Sequence, residues 1–314
     1  MDKILIAGGA GYVGGYMTDL LNKNGENVTV YDNLIYESRF LKNVQFIYGD
    51  IRDREKLRKV LPEFDVVIWL AAIVGDGACA VDPFLTQSIN EDTVKWLVDN
   101  YSGKIIFPST CSVYGINNEL IDESAPPNPL SMYAITKLAA EQYIVGYHKN
   151  YLIFRLGTLY GLGDEHSRIR LDLVTNILTQ KATFGEPLTV FGGDQWRPLL
   201  HVREVAEATL FGLKRNITGL FNLSAENYRI REIAEEIQKI IPNTSVVYQD
   251  LKFEDHRNYR VTSDAYRKLG WTPKHNMSEG IREMHLVIKE QRIKDLNDPI
   301  YYNAHYLNER LNRL

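Results

Sequence analysis

Short apolar runs alternate with amphipathic stretches through the first half of the chain. Residues 3–7, 27–31, 44–48, 66–70, 104–107 and 152–156 are dominated by Val, Ile, Leu, Phe and Tyr, the pattern of strands buried on both faces. Between them, 13–24, 54–61, 87–101 and 130–147 carry apolar residues at helical spacing. This alternation predicts an α/β fold, a parallel sheet with helices on both faces. Right-handed crossovers make it doubly wound and put ligands beyond the carboxyl ends of the strands. The second half is less regular. Helices are expected at 170–180, 203–213, 230–241 and 277–293, and a strand at 246–248. The expected division is a sheet domain over 1–160 and a smaller mixed lobe over 161–314, some of whose segments return to the first domain.

Composition narrows the partners. The 314 residues are 45% hydrophobic and 24% charged, as in ordinary soluble domains, with a net charge of −4. No basic face is expected, so neither nucleic acid nor an anionic membrane is a partner. The longest apolar run, 66–74, is less than half a bilayer span. The N-terminal MDKILIAGG meets glycine too early for a signal peptide. Two cysteines, Cys79 and Cys111, are too few for a disulfide framework and suit a reducing, cytoplasmic setting.

Candidate chemistry begins where the first strand meets the first helix, at IAGGAGYVGG. Gly9, Gly11 and Gly14 match G-x-G-x-x-G, and Gly8, Gly11 and Gly14 match a three-residue spacing. Glycine permits the tight turn and lets backbone approach a pyrophosphate, which then faces Gly8, Gly11, Tyr12, Val13 and Gly14 at the helix N-terminus. The context, strand before and helix after, is that of a Rossmann dinucleotide site. Asp32 and Asn33 end the second strand where an acid meets the adenosine ribose, and a carboxylate there repels a 2′-phosphate, so NAD is expected. Asp50 and Ile51 after the third strand would bracket the adenine.

Further on, SMYAITKLAAEQYI sets Tyr133 and Lys137 four residues apart on one helical face. A phenol is a poor base at neutral pH, and a neighbouring ammonium together with the positive nicotinamide ring would lower its pKa. Tyr133 is then placed to take a proton from a hydroxyl. The glycine turn, Asp32, the strand ending PSTCSVYG, the Y-x-x-x-K and the following FRLGTLYGLGD occur in an order that resembles the extended short-chain dehydrogenase/reductase family, in its nucleotide-sugar epimerase and dehydratase branch.

The resemblance implies roles. Tyr133 is the acid/base, Lys137 holds the nicotinamide ribose and tunes Tyr133, and Thr110 bonds the reacting hydroxyl. Ala71 and Ala72 would pass beside the cofactor phosphates, with Asn90 behind them. Val74 after the fourth strand, and Cys111 and Ser112 after Thr110, would border the sugar. GGDQWRPLLHV places an arginine for the substrate pyrophosphate at Arg197, and a later segment places a second at Arg257. Guanidinium forks suit phosphate oxygens. Arg168 and Arg170 stand to contact sugar or phosphate, or else to pair with Asp164, Glu165 and Asp172. The implied substrate is a UDP-, GDP- or dTDP-linked sugar, no metal is implied, and relatives dimerise through a four-helix bundle that includes the Tyr–Lys helix.

Several reactions share this chemistry. A 4-epimerase oxidises C4, lets the ketosugar turn and returns the hydride to the other face. A 4,6-dehydratase needs an Asp-Glu pair directly after the catalytic Thr, and Cys111 and Ser112 stand there instead. A nucleotide-sugar 4-dehydrogenase or ketoreductase, of the GDP-heptose type, needs only what is present. A non-catalytic NAD sensor would usually have lost Tyr or Lys. The 4-epimerase leads.

Overall fold

The first apolar run is the hub of the molecule. In the computed structural model, which describes residues 2–37, 40–164, 166–250, 257–293 and 295–311, Lys3–Ala7 has all but its first residue buried and is bordered by a parallel strand on each side. The strands of the first half are β1 (Lys3–Ala7), β2 (Asn27–Asp32), β3 (Gln45–Tyr48), β4 (Val66–Trp69), β5 (Lys104–Thr110), β6 (Ile116–Ile121) and β7 (Tyr151–Leu156). Those of the second half are β8 (Thr158–Tyr160), β9 (Leu188–Phe191), β10 (Trp196–His201), β11 (Gly219–Leu223), β12 (Glu226–Arg229), β13 (Val246–Gln249) and β14 (Asn258–Val261). The helices are α1 (Tyr12–Lys23), α2 (Arg54–Val60), α3 (Asp76–Val81), α4 (Pro83–Gln87), α5 (Thr93–Asn100), α6 (Met132–Tyr147), α7 (Val174–Thr183), α8 (Val202–Lys214), α9 (Ile230–Ile240), α10 (Asp264–Lys268), α11 (Met277–Lys289) and α12 (Asn303–Leu311).

Seven strands form one parallel sheet in the order β11-β7-β5-β4-β1-β2-β3. The fold is therefore α/β and doubly wound, and strand order reverses between β1 and β4. One face packs Ile4, Ile6, Val30, Ile68 and Phe154 on α1 and α8, through Met17, Leu21, Val205 and Ala208. The other packs Leu5, Val67, Trp69 and Phe107 on Leu57, Leu97, Ala140 and Ile144 of α2, α5 and α6. A separate cluster around Leu188, Ile233, Ile237 and Ile281 holds α7, α9 and α11 against two of the smaller sheets, and the third packs around Cys111, Val113 and Tyr114. Those sheets are the mixed β12-β10-β8 and the pairs β13-β9 and β14-β6. Among the described residues no helix is long and apolar enough to cross a membrane.

The elements differ from the periodicity in places, for physical reasons. The helix expected over 87–101 breaks into α4, a π turn at Ser88–Asp92 and α5. Pro83 starts α4 beneath an Asp82 cap on the Leu85 N–H, and the π turn aims the Asn90 amide at the Ile73 backbone. The helix expected from 170 begins at Val174. The stretch before it is held open by Arg170 on Asp172 and by the Leu171 N–H on Tyr301 O. The strand expected over 104–107 runs on to Thr110, because Ser109 and Thr110 stay in register with Arg155 and Leu156 of β7.

Candidate active site

The cleft opens at the carboxyl ends of β1, β2, β4 and β5, across the β1/β4 switch point. Its floor is the glycine turn. Gly8 has φ +83°, and a Cβ there would lie 2.5 Å from the Ala71 nitrogen. A Cβ on Gly14 would lie 2.6 Å from Gly8 O. The turn after β1 is thus pressed against the turn after β4, which only glycine allows. No side chain caps α1 at Gly11, so its first N–H groups face the cleft. This is a cradle shaped for a pyrophosphate.

At the end of β2, Asp32 accepts the Ala10 N–H at 3.0 Å and the Leu34 N–H at 2.7 Å. Burial still pushes its carboxyl above the usual range. Asn33 donates to Asp50 at 3.2 Å. Asp50 is gripped by Arg52 at 2.7 Å, whose hydrogen bonds hold that carboxyl below its usual range.

The opposite wall carries the acid/base candidates. Ser131 caps α6 through the Ala134 N–H and donates to Asp76 at 2.6 Å, fixing the helix start. Tyr133 and Lys137 follow on one face and both line the cleft beside Thr110. The Thr110 hydroxyl accepts the Ser112 N–H at 3.1 Å and lies on the Tyr133 side of the cleft, where it works against the rise in the phenol pKa. Lys137 Nζ lies 3.8 Å from the centre of the Phe107 ring. Burial pushes the Lys137 ammonium down to about 7, against the opposing pull of Glu141 and Cys79. The lowering expected of the Tyr133 pKa depends on the positive nicotinamide ring as well as on Lys137 and so concerns the NAD-bound state; the protein alone sets the starting point. Burial raises that pKa, Cys79 and Asp76 add to the rise, and Thr110 and Arg170 oppose it. Behind the pair, Arg155 of β7 forms a buried ion pair with Glu141 of α6 at 2.5 Å and donates to Tyr114 at 2.8 Å.

Three more arginines meet the far rim. Arg170 makes a two-point bond to Asp172 at 2.9 and 3.1 Å. Arg257 pairs with Asp76 at 2.8 Å. Arg168 lies with its guanidinium 4.1 Å over the Tyr36 ring and donates to Ile300 O at 2.7 Å. Asp164 instead binds Lys42 at 2.8 Å, and Glu165 lies outside the described residues.

Most of the sequence-predicted residues meet in this one cleft: Gly8, Gly11, Tyr12, Val13, Gly14, Asp32, Asn33, Asp50, Ile51, Ala71, Ala72, Val74, Thr110, Ser112, Tyr133, Lys137, Arg168, Arg170 and Arg257. Three expected there do not line it. Asn90 is buried behind the wall, its amide spent on both Ile73 backbone groups at 2.8 Å. The Cys111 side chain turns into a cluster with Val113, Ile121 and Val261, donates to Arg155 O at 3.1 Å and has its pKa pushed up by burial. Arg197 donates from one nitrogen to the Trp196 carbonyl at 2.8 Å and the Arg257 carbonyl at 2.5 Å, so it braces Arg257 from behind.

The sequence reading missed others. Tyr259 lines the cleft with its hydroxyl 3.3 Å from Ser112; its position two residues after Arg257 was the available signal. Ser109 lines it with a hydroxyl that has no partner among the described residues. Tyr36 sits in the turn after β2, where nothing in the local pattern marks it. The segment 299–311 reaches the same region: Asn303 donates to Val74 O, and Arg310 to Ile35 O.

A glycine cradle at the switch point, an acid ending β2 and a phenol–lysine helix across the cleft define a nicotinamide-dependent enzyme of the short-chain dehydrogenase/reductase type. The chain matches the NAD dependent epimerase/dehydratase family over residues 4–223. It is 30% identical over 304 residues to a putative UDP-glucose 4-epimerase of Methanocaldococcus jannaschii, covering 90% of this chain and 96% of that one. Among solved structures, a UDP-glucose 4-epimerase of Thermotoga maritima with UDP-glucose superposes with a TM-score of 0.80 at 25% identity, over 92% of this chain and 99% of that one. A UDP-glucuronic acid 4-epimerase of Bacillus cereus, in complex with UDP-glucuronic acid and NAD, gives 0.79 at 28% identity over the same shares. The chain belongs to the NAD-dependent epimerase/dehydratase family of extended short-chain dehydrogenases/reductases, and it is an NAD-dependent enzyme.

Proposed function

We propose that the protein is a nucleotide-sugar 4-epimerase that acts on a uridine-diphosphate sugar with Thr110, Tyr133 and Lys137. The observation that carries this reading is that Thr110, Tyr133 and Lys137 line the same cleft as the glycine cradle. NAD, when bound, supplies reversible hydride transfer. Tyr133 Oη takes the proton of the sugar C4 hydroxyl as that carbon is oxidised, and gives it back when the ketosugar is reduced on its other face. Thr110 orients the reacting oxygen. Lys137 places positive charge on the phenol side of the cleft, and the Glu141–Arg155 pair fixes the helix that carries both.

The neighbours of Thr110 decide against dehydration. Cys111 faces the core and Ser112 faces Tyr259, so no carboxyl group stands directly after Thr110 to eliminate water. The rim arginines suit the diphosphate, with Arg257 at the cleft and Arg197 bracing it. The names of the relatives from Methanocaldococcus jannaschii and Thermotoga maritima support uridine as the base. We assign NAD binding to 1–160 and sugar binding mainly to 161–314, with β11 returning to the main sheet. Exposed Ile135, Val145 and Tyr147 on α6 support a homodimer built on that helix. Two free thiols suit a cytoplasmic location.

Incubation with UDP-glucose, UDP-N-acetylglucosamine and UDP-glucuronic acid, followed by proton NMR, tests the reading. Conversion to the C4 epimer without net formation of NADH is expected. Stoichiometric NADH with a keto product would overturn it in favour of a 4-dehydrogenase.

A further inference from the structure

Arg168, expected from sequence at the sugar or phosphate or on a carboxylate, has no part in the proposed chemistry. Its side chain is about nine-tenths buried, yet it lines the cleft. Among the described residues no carboxylate pairs with it. One terminal nitrogen donates to Ile300 O at 2.7 Å, its face covers Tyr36 at 4.1 Å, and its Nε has no acceptor. Its neighbour Arg170 spends its own charge on Asp172. Burial and the nearby Arg170 push the Arg168 pKa down to about 10. A buried, under-compensated guanidinium is costly unless an anion completes it.

Its position says which anion. Ser167 is packed against Gly15 of α1, since a Cβ on that glycine would fall within 2.8 Å of the Ser167 Cβ. The loop that carries Arg168 therefore lies over the first turns of α1, the end that faces the pyrophosphate. Tyr36, beneath the guanidinium, leaves β2 four residues after Asp32, on the adenosine side of the cleft. Lys42 clamps this roof, with one bond to Asp19 of α1 and two to the carboxylate of Asp164. Arg257, by contrast, stands at Asp76 beyond β4.

We propose that Arg168 is a ligand of the cofactor pyrophosphate, held over it by Tyr36 and Ile300, and that it slows cofactor release. This moves Arg168 from the substrate to the cofactor. An epimerase must return the hydride it removes, so a cofactor that stays through the cycle suits the proposed reaction. The inference rests on NAD as the cofactor and not on the sugar.

The test uses NAD-loaded protein mixed with excess labelled NAD, with the exchange rate followed and with ADP, adenosine and UDP as competitors. For Arg168→Gln, exchange is expected to be about 10–100-fold faster, the worth of a charge-assisted hydrogen bond. ADP should lose a similar factor while adenosine competes as before. Arg168→Lys, which keeps the charge without the planar fork, should fall between and weaken further with salt; it also serves if the Gln variant does not fold. Unchanged exchange would overturn the proposal. So would equal losses for ADP and adenosine, which mark a merely structural role, or a loss for UDP with ADP unaffected, which returns Arg168 to the substrate. None of these readouts depends on turnover, so the epimerase reading can fail while this one stands.

Discussion

Tyr133 and Lys137 are four residues apart and respond to burial in opposite senses. If Tyr133 moves the C4 proton, Tyr133→Phe should lower turnover by about 10²–10⁴-fold while NAD remains bound. Near-normal turnover in that variant would remove Tyr133 from the chemistry. Lys137 gives a pH signature of its own. Unfolded, it holds its proton up to about 10.5; folded, it loses it near 7. Between these values the unfolded state binds more protons, so stability should rise with pH across that window. Lys137→Met removes the term. Urea unfolding of nucleotide-free protein should show this variant gaining most over wild type at or below pH 7, with the gain shrinking towards pH 10; a gain that does not change with pH would contradict the assignment. The residues of this site were largely legible in sequence because glycine turns, Asp32 and Tyr-x-x-x-Lys are local patterns. Side-chain direction was not legible. Cys111 and Ser112 are adjacent, yet one faces the core and the other the cleft, as alternate positions past the end of a strand do.

At the scale of elements, α6 is bound to the sheet by charge as well as by packing. Arg155 and Glu141 are both buried and hydrogen-bonded, and removing one partner leaves the other uncompensated. Glu141→Ala should cost about 3–5 kcal/mol of stability, measured as a shift in the denaturation midpoint. A loss below 1 kcal/mol would show that the pair is solvated. The outer face of the same helix supports the proposed dimer. Ile135→Glu is expected to yield monomers in analytical ultracentrifugation, and an unchanged sedimentation coefficient would rule that face out. Strands β1 to β5 and β7 were readable because buried parallel strands are continuous apolar runs. Strands β8, β10, β11 and β12 were not, although β10 and β11 are as long as the readable strands. In β10, β11 and β12 the apolar run is broken by polar residues such as Arg197, His201, Asn222 and Arg229.

The whole molecule closes its cleft with its farthest parts. Arg310 reaches Ile35 across 275 positions, and Asn303 reaches Val74 across 229. No periodicity announces such contacts, because they depend on where the folded chain brings 299–311. They also carry a consequence for how the protein comes apart. The clusters that hold the main sheet lie on its two faces, whereas this strap packs in two others, Tyr301 and Tyr302 beside Leu171 and Met284, and Ala304 and Leu307 beside α3. A segment whose contacts are separate from those of the sheet opens in its own right, below the temperature at which the sheet melts. Warming should therefore free the nucleotide first and melt the protein second. A thermal scan that follows both would then show two separate steps rather than one.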